Sequence, residues 1–89
     1  MIKDILVNKN IPVSEVGKRF RINKENSFDG IIILSAGELS DVHGEPLGKN
    51  KYNTITIPEM IHNDLVKFIP KFIRIETAED IKTVTIEIL

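Results

Sequence analysis

At 89 residues the chain has room for one domain, residues 1–89, and its near balance of 12 Lys and Arg against 13 Asp and Glu withholds the basic footprint of a typical nucleic-acid binder. The absence of cysteine excludes disulfide staples, thiolate metal sites and thiol nucleophiles. The longest unbroken apolar run, Ile31–Leu34, falls far short of the ~18 residues of a membrane span, and the N-terminus has no signal-peptide pattern, so a cytoplasmic domain with no membrane partner is expected.

Isoleucine occupies 16 positions against six each for Val and Leu, a bias that favours strands because β-branched side chains suit a pleated surface. The richness in Ile, Lys and Asn also fits an AT-rich coding sequence, phage or bacterial. Met1–Val7 reads as either helix or strand. Pro12 and Gly17 then punctuate an irregular stretch over residues 8–17, with Val13 and Val16 turned inward. Lys18–Asn23 alternates with a period of two, placing Phe20 and Ile22 on one face and Arg19 and Arg21 on the other. A polar connection closes on an Asp29–Gly30 turn signal. Gly30–Ser35, GIIILS, follows as a continuous apolar strand, and such a run implies burial on both faces in a central position.

Residues 36–51 read as a long loop holding three of the five glycines, and ordered loops of that length usually carry function. Tyr52–Ile57 alternates as a strand. Pro58–Ile69 is predicted to be an amphipathic helix, with Ile57, Ile61, Leu65, Phe68 and Ile69 as its buried stripe and Thr56 with Glu59 as a capping box. Lys71–Glu76 and Ile81–Leu89, joined by a short polar link, are expected to form an antiparallel hairpin. Together these elements predict an α+β fold: a small, mostly antiparallel sheet of four to six strands with one amphipathic helix packed on one face.

The charges are segregated along the chain. Residues 1–24 carry Lys3, Lys9, Lys18, Arg19, Arg21 and Lys24 against Asp4 and Glu15, a net of +4, while residues 25–48 carry five carboxylates and no Lys or Arg. The expected function is therefore a non-catalytic protein-interaction module, a small inhibitor, adaptor or assembly subunit. It would bind through the 36–51 loop and an exposed sheet edge. The candidate partner-binding residues are Glu38, Asp41, His43, Glu45, Lys49 and Tyr52, suited to a protein with a basic patch. An uncovered edge could also pair with its own copy.

Two alternatives stand behind this reading. Lys18, Arg19, Arg21 and Lys24 could neutralise phosphates, although alternation hides Phe20 from a base and the overall charge argues against nucleic acid. Asp41, His43 and Glu45, at i, i+2 and i+4, would share one side of an extended segment and could centre a metal-dependent enzyme. Gly44 and Pro46 speak against a regular strand there, and the spacing matches no zinc or EF-hand loop. Neither Ser35 nor Ser40 sits in a nucleophile elbow, and the glycine spacing fits no phosphate or dinucleotide loop. No cofactor is implied, and no catalytic residue is assigned.

Overall fold

A computed structural model describes residues 1–22, 28–37, 40–47 and 53–89. Among these residues, eight strands and two short helices follow one another as β1 (Ile2–Leu6), β2 (Ile11–Pro12), α1 (Val13–Val16), β3 (Arg19–Ile22), β4 (Gly30–Ser35), β5 (Val42–Leu47), β6 (Asn53–Thr56), α2 (Ile57–His62), β7 (Phe72–Glu76) and β8 (Thr83–Ile88). They build two antiparallel four-stranded sheets rather than one: a first sheet in the order β1-β8-β3-β6 and a second in the order β2-β7-β4-β5. The α+β class fits this arrangement in its coarse form.

Period-two patterning explains why two sheets suffice to make one core. Ile5, Phe20, Ile22, Ile55, Val84 and Ile86 from the first sheet meet Ile11, Ile32, Leu34, Leu47, Ile73 and Ile75 from the second in a single buried cluster. The ambiguous N-terminus is a strand. Its register, Ile2 opposite Glu87 through Leu6 opposite Thr83, places Ile5 and Val84 side by side in that cluster. Within residues 8–17 the chain is more regular than expected: β2 pairs with β7, and one helical turn tucks Val13 and Val16 inward. Gly17 ends that turn at φ 77° and ψ 179°, a region essentially reserved for glycine. β4 is central, between β7 and β5, as its composition implies, but the expected burial on both faces is not met, because Ile31 on its outer face is 39% exposed.

The expected β7–β8 hairpin does not form. β7 pairs with β2 and β4, whereas β8 pairs with β1 and β3, so the link between them carries the chain from one sheet to the other. Side chains distant in sequence hold this corner. Asn8 Oδ1 accepts from the Thr77 amide at 3.0 Å, Thr77 Oγ1 donates to the Asp29 carbonyl at 2.7 Å, and the Glu79 carboxylate accepts from the Asp29 amide.

The long amphipathic helix is also corrected. α2 stops at His62, because Asp64 adopts a left-handed conformation (φ 59°), which aspartate tolerates better than most residues. The Leu65 amide then donates to the Met60 carbonyl at 2.9 Å and the Asp64 amide to the Ile61 carbonyl at 3.1 Å, a Schellman closure. Beyond it the helical stripe loses its meaning: Leu65 and Ile69 are 57% and 75% exposed, while Val66 is 1% exposed and packs in the core. The capping box is replaced as well. Thr56 makes no cap bond to the helix backbone; its side chain bonds the Glu59 carboxylate instead, which with the nearby Arg19 holds that carboxyl below its ordinary pKa.

Candidate interaction surface

Residues 42–47 of the expected loop form a strand, β5, at the edge of the second sheet. Gly44 and Pro46 do not prevent this, because an edge strand tolerates a missing donor and a missing side chain where a central one does not. Pairing runs from Ser35 opposite Val42 to Gly30 opposite Leu47. Gly30 itself lies so close to β7 that a Cβ there would stand 2.6 Å from the Glu76 carbonyl oxygen.

β5 has two contrasting sides. His43 and Glu45 lie opposite Leu34 and Ile32 on the core side of the sheet, half-buried at its rim, with His43 Nε2 4.0 Å from Glu45 Oε2. Asp41 precedes the strand and does not complete a trio with them. Among the described residues no group of three His, Asp or Glu side chains is placed to hold a metal ion. Glu38, Lys49 and Tyr52, the other proposed contact residues, lie outside the described residues, as does Lys24 of the basic strip.

The other side of β5 presents Val42, Gly44 and Pro46, all exposed. They continue across the outer face of the second sheet, where Ile31, Ile33 and Ser35 of β4 stand beside Phe72, Arg74 and Glu76 of β7. Val42 is 45% exposed and Ile31 39%, and a Cβ on Gly44 would meet nothing within 4 Å. Ile33 is only 7% exposed yet stands outside the core cluster, lying on this outer layer. Two charges interrupt the surface, and they neutralise each other: Arg74 Nη2 stands 3.0 Å from Glu76 Oε1, while Arg74 Nη1 donates to Asn10 Oδ1 at 2.6 Å. At one end the face runs into a shallow depression of about 500 Å³ lined by Asn8, Asp29, Gly30, Ile31, Glu76, Thr77 and Ala78.

The first sheet's outer face is built differently. Asp4 accepts from Thr85 Oγ1 at 2.7 Å, Arg21 pairs with Glu87 at 3.3 Å, and Thr54 stands opposite Arg21. Threonines and paired charges are what an antiparallel sheet turns toward water, and the apolar Ile2 and Leu6 on this face, 71% and 46% exposed, are confined to the β1 edge. This placement also bears on the basic strip: Phe20 is buried, Arg19 lies 3.6 Å from Glu59, and Arg21 faces Glu87, so both arginine charges are matched locally, and Lys18 is exposed beside them.

The sheet edges are blunted. Pro46 removes a donor from β5, β6 has only four residues, and β2 with the Asn8 amide, which donates to the Ile75 carbonyl at 2.6 Å, occupies the edge of β7. On β1 the charged Lys3 points toward the core side and reaches Glu15 at 3.9 Å. Each is a known device against strand addition. Sequence reasoning found the residues of β5 but missed the outer face. The available signal was the uninterrupted GIIILS, whose Ile31 and Ile33 have no inward role.

Comparison with protein-family models, curated proteins and solved structures gives no match to this chain. No helix among the described residues is long and apolar enough to cross a membrane.

Proposed function

We propose that this domain is a non-catalytic protein-interaction module whose docking surface is the outer face of the second sheet, with β5 as its rim. One observation carries the reading. Two sheets of equal strand number share a core, yet the first turns threonines and matched charges outward across β8, β3 and β6, with apolar Ile2 and Leu6 confined to its β1 edge, while the second turns Ile31, Ile33, Val42, Pro46 and Phe72 outward across β4, β5 and β7. A contiguous apolar face of about 300 Å² matches the largest patch on a typical monomer, and such patches are often functional. The polar side chains of β5, His43 and Glu45, sit on the opposite side of the strand and would meet only the border of a partner. Blunted edges favour the face over strand addition as the mode of binding.

A photo-crosslinking amino acid placed at Val42 should capture a protein in the native cell, while the same probe at Thr83 on the first sheet should not. Capture at Thr83 alone, or a nucleic-acid adduct formed from Arg19 or Arg21 positions with nothing at Val42, would replace this reading with another.

A further inference from the structure

Resting on that reading, we propose that the occupant of the second sheet's outer face is a second copy of this chain, packed face to face about a two-fold axis. Charge complementarity is the first argument. Arg74 and Glu76 are the charged residues of β4, β5 and β7 that point out of this face, and they stand at i and i+2 on β7 with Ile75 between them pointing inward. A two-fold axis passing over Ile75 runs the two copies of β7 antiparallel, so that Arg74 of each meets Glu76 of the other. The pattern is self-complementary, as an isologous interface requires. A partner of strong single-sign charge would gain nothing from a face that is internally neutral.

Long-range repulsion does not oppose the pairing, because the chain carries a formal net charge of −1, and near-zero net charge favours association. Sterics agree: the space over Gly44, beside the exposed Val42 and Pro46, is open to an approaching side chain. Size limits the strength. Three interstrand spacings of about 4.8 Å and six residues of about 3.4 Å outline a face of roughly 15 by 20 Å. That is well under the ~800 Å² per partner of a standard interface, which places the dimer in the weak, transient class.

Sedimentation equilibrium tests this with the full chain. The wild type should pass from monomer to dimer as concentration rises from about 10 μM to 1 mM, the range expected of a small interface. Gly44→Arg should weaken dimerisation at least tenfold, since it sets a long charged side chain on the face while its own fold has room for it and no left-handed backbone to strain. Arg74→Glu should weaken it similarly by placing four carboxylates around the axis. Thr83→Asp, on the opposite face, should leave it unchanged. Circular dichroism confirms folding of each variant, and Gly44→Arg keeps the test decisive if Arg74→Glu does not fold. A wild type that stays monomeric to 1 mM overturns the proposal, and so does a dimer that survives Gly44→Arg. A monomer that still crosslinks to a different protein through Val42 would sink the second copy while leaving the interaction surface standing.

Discussion

Adjacent residues Leu65 and Val66 offer a direct test of where α2 ends. A helix running to Ile69 would bury Leu65 and expose Val66; a helix closed at His62 by Asp64 does the reverse. Truncating Val66 to Ala removes two buried carbon groups, a transfer loss of about 1.6 kcal/mol at ~0.8 kcal/mol each. Incomplete collapse around the gap adds a cavity contribution, so roughly 2–3 kcal/mol is expected. Leu65→Ala removes three such groups, but more than half of the residue already faces water and no closed cavity is left behind. Its cost should stay below about 1 kcal/mol. Urea melts of both variants, with m-values matching the wild type, measure the difference directly. If Leu65→Ala costs as much as or more than Val66→Ala, the Schellman closure is wrong and the amphipathic stripe inferred from sequence is right.

Other perturbations probe the backbone and the charges. Gly17→Ala should destabilise by about 1–3 kcal/mol in the same melts, because the backbone conformation there excludes a side chain even though the nearest atom to a Cβ, Ile88 Cγ2, is at an ordinary 3.5 Å. Gly30→Ala should be at least as damaging for the opposite reason, collision with the Glu76 carbonyl, and amide exchange should accelerate along β4 and β7 together. Glu59 has a folded-state pKa held below its ordinary value of 4.5, first by the Thr56 hydroxyl and also by its own backbone amide and Arg19. Its contribution is therefore present above that value and fades as pH falls through the folded pKa, so Glu59→Gln should lower stability slightly at neutral pH and converge with the wild type in acid, flattening the stability–pH curve below about pH 4.5.

Much of the strand content is legible in the sequence, because alternation is a local property. Phe20 and Ile22 against Arg19 and Arg21, and Val84 and Ile86 against Thr83 and Thr85, lie as their spacing implies. What fails is whatever a distant residue decides. The corner after β7 depends on Asn8 and Asp29, 69 and 48 residues away from Thr77, and nothing in Thr77–Asp80 distinguishes it from a hairpin turn. The end of α2 depends on one aspartate whose polar character fits the solvent face of a helix as well as a left-handed cap. β5 was obscured because Gly44 and Pro46 are strand breakers in a sheet's interior and acceptable at its edge, a distinction that exists only once the strand order is known. For the same reason the candidate site was half visible: His43 and Glu45 announce chemistry, whereas Val42, Gly44 and Pro46 acquire significance only beside Ile31 and Phe72.

The way the chain alternates between sheets also governs how fast it can fold. Of the strand pairings, β4 with β5 is the local one, spanning Gly30 to Leu47. β1 finds its partner at the far end of the chain, with Ile2 opposite Glu87, and β8 must enter between β1 and β3. Loop-closure entropy is spent before such distant pairings return any stability, so folding on the order of milliseconds to seconds is expected, in place of the microseconds open to locally connected folds. Until β8 arrives, the inward faces of β1 and β3 have no strand between them, and Ile5, Phe20 and Ile22 remain accessible to other chains. The interval between synthesis and closure of the first sheet is then the period of greatest exposure to aggregation.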